Sequence, residues 1–149
     1  MTNTPPCSGS SLGLMFRQVR DAMWARVERE LAAAGHDLTF SQYITLKTLG
    51  SGRAGVSELA RAAQLHPGAM TRLLDKLEAQ GLVARVVDPQ DRRALHVDLT
   101  ESGRALWDTV SDCGRRVHAR AMQGLDDAEQ ARLMDLLIRV RDNLSSDSD

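Results

Sequence analysis

Arginine placement gives this chain most of its chemistry. Arg72 and Lys76 stand four residues apart, Arg92 and Arg93 are adjacent behind Asp88-Pro89-Gln90-Asp91, and Arg17 and Arg20 stand three apart near the start. A guanidinium can fork onto a carboxylate, a phosphate or a guanine edge, and an ammonium offers phosphate a point charge. Groups that could do covalent or metal chemistry are scattered. His36, His66, His96 and His118 share no metal-ligand spacing, and Cys7 and Cys113 lie far apart. There is no nucleophile elbow, phosphate-cradling glycine loop or metalloprotease helix motif. The residues predict recognition rather than catalysis, with no cofactor and no metal.

Arg72 and Lys76 need a helix to hold them. From Pro67 to Gln80, Met70, Leu73, Leu74 and Leu77 recur at i, i+3, i+4, i+7, which predicts an amphipathic helix with Pro67 in its first turn and Gly81 as its stop. Its free face carries Gly68, Ala69, Thr71, Arg72 and Lys76, small residues at the leading end and cations behind. Ser57 is read as the cap of a short preceding helix, Glu58–Ala63, with Leu59, Ala62 and Ala63 inward. After Gly81, residues 82–87 and 95–99 alternate with the period of two expected of half-buried strands. The polar turn between them ends in Arg92-Arg93, which can reach a narrow minor groove. Helix, turn, helix and a hairpin with a basic tip form a device for seating one helix in a DNA groove.

LTFSQYITLKTL followed by VSELARAAQLHPGAMTRLLDKLEAQGLVARVVDPQDRRALHVDLTESG resembles the MarR family of bacterial transcription regulators, over about Leu12 to Leu144. The resemblance implies a mainly α winged helix-turn-helix (α+β) acting as an obligate homodimer on a palindromic operator in double-stranded DNA, usually as a repressor. It implies that Arg93 enters the minor groove, that Asp91 orients it, and that Arg72 and residues 67–71 face the major groove. The expected DNA-facing set is Ser57, Pro67, Gly68, Ala69, Met70, Thr71, Arg72, Lys76, Asp91, Arg92 and Arg93. Asp75 either holds the base of the wing or pairs on the surface beside Lys76.

The flanks read as follows. Residues 1–10 form a polar, flexible arm. Leu12, Met15, Phe16, Val19, Met23, Val27 and Leu31 make an apolar stripe on a helix closed by Gly35, too long to hide within one small lobe, so pairing with a second copy is expected. Thr39 and Gln42 form a capping box for a helix to about Leu49, and residues 50–55 read as a flexible turn. Thr100 caps a helix to about Gly124, interrupted at Gly114. Asp126 and Glu129 open a last helix with a stripe of Leu133, Leu136, Leu137, Val140 and Leu144. Residues 11–35 and 104–144 are thus expected to dimerise, 36–103 to form the DNA-binding lobe, and the acidic tail 145–149 to be disordered.

Arg17 and Arg20 share one side of the first helix, Trp24 lies one turn further, and Thr39 begins a helix whose amide end favours an anion. The resemblance implies a pocket here for a small aromatic or phenolic effector, because Arg17, Arg20 and Thr39 match positions used by salicylate-responsive relatives of the SlyA/EmrR-like subgroup. The bland reading is surface charges, a cap and a core indole. Drug-efflux or stress genes are the expected targets. Two rivals stand beside this reading: a redox-switched repressor using Cys7, and a winged-helix protein-interaction module that has lost DNA.

The 149 residues allow one domain, and 42% hydrophobic with 26% charged content is ordinary for a soluble globular protein. No apolar run is long enough to span a bilayer and no signal-peptide pattern is present, so a cytoplasmic location and no membrane partner are expected. Net charge is −1. Nucleic-acid affinity must therefore come from where the arginines sit, and it should be moderate and salt-sensitive.

Overall fold

The computed structural model describes residues 9–91 and 95–146. In chain order these form α1 (Gly9–Ala33), α2 (Phe40–Gly50), β1 (Ala54–Gly55), α3 (Val56–Ala63), α4 (Pro67–Ala79), β2 (Val83–Val87), β3 (Leu95–Leu99), α5 (Glu101–Ala121) and α6 (Asp127–Ser145). The sheet is antiparallel with order β1-β3-β2. This is the mainly α winged helix-turn-helix that the sequence predicts.

Local chemistry explains most boundaries. Gly35 closes α1 at φ 81° and Gly81 leaves α4 at φ 73°, a conformation that costs other residues about 1–2 kcal/mol. The capping box at α2 is complete: Gln42 N–H donates to the Thr39 hydroxyl at 3.2 Å, and Thr39 N–H donates to Gln42 Oε1 at 3.0 Å. Thr100 does two jobs. Its hydroxyl accepts from Gly103 N–H at 3.1 Å and donates to the Gly81 carbonyl at 2.5 Å, tying the start of α5 to the end of α4. A Cβ on Gly103 would collide with the Leu82 carbonyl, so this junction requires glycine.

Two apolar clusters hold the elements. Leu46, Leu49, Leu59, Met70, Leu74, Leu77, Val83 and Val97 fill the lobe at 2% exposure or less. Each such side chain contributes about 1.5–3 kcal/mol through burial. A second cluster of Val27, Leu31, Tyr43, Val110, Cys113 and Val117 joins α1 and α5 to α2.

Several expectations need correction. Gly55, not Ser57, is the N-cap of α3, and it has no side-chain cap to offer, because the helix begins directly where β1 ends. Ala60 rather than Ala62 packs inward from α3. Residues 50–55 are not merely a turn: Ala54 pairs with Val97 and Gly55 with His96. Two residues cannot display a period, so β1 is visible only through its partner strand. α5 runs unbroken through Gly114, where the absent side chain admits the Tyr43 hydroxyl against the helix. α1 starts at Gly9, inside the expected arm, and α6 continues to Ser145. Residues 1–8 of the arm, with Cys7, and 147–149 of the tail lie outside the described residues.

The stripe of α1 divides at its middle. Val27 and Leu31 are buried, whereas Leu12, Leu14, Met15, Phe16 and Val19 stand exposed; no described residue of α6 is buried, and Leu136 and Leu144 are open to solvent.

Candidate functional site

Met70, Leu74 and Leu77 are fully buried and root α4 in the lobe, and this forces the opposite face outward. Pro67, Gly68, Thr71, Arg72 and Lys76 are exposed and Ala69 is half-buried. Pro67 occupies the first turn and the N-cap residue, His66, makes no side-chain cap bond, so no cap from His66 satisfies the leading amides at the positive dipole end of α4. The Thr71 hydroxyl is turned back onto the Pro67 carbonyl at 3.0 Å. Met70, expected in the DNA-facing set, is core, because its position repeats with Leu74 and Leu77 on the inner stripe. Ser57 is exposed in the first turn of α3. The turn between α3 and α4 is made by Gln64 at φ 54°, a left-handed residue that is not glycine, with Leu65 N–H donating to the Ala60 carbonyl at 2.9 Å.

The hairpin of β2 and β3 is fastened to α4 by charge. Arg85 on β2 donates to Asp75 at 2.7 Å and reaches Glu78 at 3.2 Å, both on α4. The Asp75 bond, opposed by partial burial and then aided by Glu78, raises the Arg85 pKa above its ordinary value. Asp75 thus takes the wing-base role, one of the two readings the sequence left open. Further out, Asp88 accepts from Gln90 N–H at 2.9 Å and lies 3.3 Å from His96 Nε2. The Gln90 bond, against a small desolvation cost and with help from His96, lowers the Asp88 pKa. Asp91 is exposed at the edge of the described residues, and Arg92 and Arg93 lie outside them.

A second feature lies where α1, α2 and α5 converge. Trp24 meets Phe40 edge-on at 5.0 Å between ring centroids and Tyr43 at 5.8 Å, and Tyr43 meets Trp107 at 5.8 Å. A cavity of about 380 Å³ opens beside these rings, with Phe16, Val19 and Met23 on its α1 wall and Arg20, Lys47 and His118 as its basic members. Arg20 and Trp24 therefore come together as expected. Arg17 and Thr39 do not line the cavity: Arg17 lies 3.8 Å from Asp21, and the Thr39 side chain is engaged in the α2 cap. Arg20 also pairs with Asp21, at 2.9 Å. Phe40, Tyr43 and Lys47 went unpredicted as lining residues. Their spacing of three and four along α2 puts them on one face, a signal that reads equally well as ordinary core.

Burial first, then the Cys113 thiol beside it, raises the Tyr43 pKa above 10.0, so the phenol remains a neutral donor at physiological pH. Because the folded pKa exceeds the unfolded one, this contribution to stability is complete below pH 10 and is lost as pH rises through the folded value. Tyr43 is the single tyrosine of the chain. The phenolate absorbance should therefore titrate with a midpoint above 10 in the native protein; a midpoint at or below 10 would contradict a buried phenol.

Comparison with known proteins matches this architecture. The MarR family model matches residues 38–95. The HTH-type transcriptional repressor NicR of Pseudomonas putida is 30% identical over 144 residues, covering 96% of this chain and 90% of NicR. The chain belongs to the MarR family. Among solved structures, a MarR-family regulator from Silicibacter pomeroyi superposes with a TM-score of 0.76 at 27% identity, over 90% of each chain. A cysteine-to-serine variant of E. coli MarR complexed with operator DNA does so with a TM-score of 0.70 at 28% identity, over 87% of this chain and 93% of that one. This MarR-family chain is a DNA-binding transcriptional regulator and not an enzyme. Among the described residues no helix is long and apolar enough to cross a membrane.

Proposed function

We propose that this MarR-family regulator is a homodimeric repressor that binds a palindromic operator through α4 and the wing, and is released when a small aromatic or phenolic compound enters the cavity between α1, α2 and α5. The observation that carries this reading is the position of the cavity. It joins the exposed half of the α1 stripe to α2, the first helix of the lobe, with aromatic walls and the basic residues Arg20 and Lys47. The exposed apolar residues of α1 and α6 supply a face for a second copy. The exposed residues of α4 supply the major-groove reader, and the resemblance assigns the minor groove to Arg92 and Arg93, which lie outside the described residues. Drug-efflux and stress genes fit an effector of this class. Release requires that the ligand favour a lobe spacing mismatched to successive major grooves.

Fluorescence anisotropy on the gene's own upstream fragment tests this, with salt varied and salicylate then added. The expected result is salt-dependent binding that salicylate weakens, unchanged in a Cys7→Ser variant. Loss of the response in Cys7→Ser would move the switch to the thiol. Failure to bind that fragment or any sequence selected from random DNA would leave the protein-interaction alternative.

A further inference from the structure

We propose that the cleft between α2 and α5 is a second ligand site, shaped for a small aromatic dicarboxylate and distinct from the cavity against α1. The cleft measures about 660 Å³, and among the described residues its lining comes from α2 and α5 alone. It is therefore complete within one chain, whereas the other cavity borrows the exposed face of α1 that a second copy would cover.

The cleft is held open by two close approaches. A Cβ on Gly50 would overlap the Trp107 indole, and one on Gly114 would overlap the Tyr43 hydroxyl. α2 and α5 are therefore antiparallel here and pinned at both ends of the cleft, which gives a preformed site rather than one that must be ordered on binding. Lys47 falls between the two contacts on α2, as Ser111 does on α5. Arg115 follows Ser111 by one helical turn, about 6 Å along the axis.

The charge in the cleft is unbalanced. Lys47, Arg104 and Arg115 line it against a single carboxylate, Asp108, with the His118 imidazole beside them. Among the described residues Lys47 makes no ion pair, whereas Arg104 pairs with Asp98 at 3.8 Å and Arg115 with Asp112. Three side-chain cations facing one lining carboxylate favour an anion. Two carboxylates on one ring would meet Lys47 at mid-cleft and Arg115 one turn beyond. The Tyr43 and Trp107 rings form an aromatic wall for the ring between them. A monocarboxylate would engage one of the two cations instead of both and bind more weakly. The two sites share Tyr43, Lys47, Gly114 and His118 along their seam, so an occupant of one competes for Lys47 with an occupant of the other.

The two tryptophans of the chain separate the sites experimentally. Trp107 lines the cleft and not the α1-side cavity, and Trp24 does the reverse. In full-length Trp24→Phe protein, titration with isophthalate should change Trp107 emission saturably with a dissociation constant below about 1 mM. Benzoate should bind at least about tenfold more weakly, as should isophthalate to Lys47→Met and Arg115→Gln variants, a loss of one charge-assisted contact. An emission change that fails to saturate by about 10 mM would overturn the proposal. So would undiminished affinity in Arg115→Gln, a residue that lines only the cleft. If Trp24→Phe does not fold, fluorine NMR of the fluorotryptophan-labelled wild type reads the same two positions as separate resonances, with the same two outcomes. Salicylate titration of Trp107→Phe reports on the α1-side cavity, so its failure counts against the effector reading alone.

Discussion

Replacing Arg72 with alanine should weaken operator binding about 10- to 100-fold, the range expected when one bidentate base contact is removed. The residue is exposed on α4 and makes no ion pair among the described residues, so its removal costs the fold little. The unfolding free energy should change by no more than a surface substitution produces, about 0.5 kcal/mol. Sequence preference should relax at the base pairs it touches. Lys76→Ala should instead weaken binding evenly across sequences and lower the salt slope by about one, the signature of a lost phosphate contact. Anisotropy at several salt concentrations separates the two variants. Undiminished affinity in Arg72→Ala would remove the free face of α4 from the interface.

Two residues along the same helix, the expected outcome reverses. Leu74 is fully buried in the lobe cluster. Leu74→Ala should cost about 2–5 kcal/mol through lost burial and the cavity left behind. That is a large share of the roughly 5–15 kcal/mol that holds such a domain together. Urea unfolding should show a much lower midpoint with little change in slope. Where the variant remains folded, operator affinity should stay close to wild type, because the outward face of α4 is untouched. Affinity lost in step with Arg72→Ala while the fold persists would mean that Leu74 positions α4 for DNA rather than merely stabilising it.

These contrasts show which parts of the molecule were legible beforehand. The α4 stripe was readable because burial and the helical period agree over several turns, and the caps at Thr39, Thr100 and Asp126 were readable because side-chain chemistry fixes them locally. Met70 stood in two places: its helical phase put it on the inner stripe while the resemblance put the whole block 67–71 at the major groove, and burial decides for the stripe. β1 is too short to carry a pattern of its own. Gly114 read as a helix breaker because propensity was the only information available, and tertiary contact with Tyr43 overrode it. The lining of the cavity was only half visible. Arg20 and Trp24 come from one helix and could be paired by spacing, but Tyr43 and Lys47 become neighbours of Trp24 only when α2 packs across α1. Thr39 had one hydroxyl to offer, and its own helix claimed it.

The short strand β1 has a further consequence. By pairing with β3 it brings the point where the chain leaves α2 alongside the point where it enters α5, and Gly50 and Trp107 sit against each other at that crossing. The segment from Ser51 to Thr100 thus leaves and rejoins the helical frame at one place, with Leu46 and Leu49 of α2 completing its core. A homologous loop from another MarR-family regulator, joined at these two positions, should carry its operator preference into this frame while leaving the α1-side cavity as it is. Exchanging DNA addresses between such regulators then becomes a matter of one cassette and two seams.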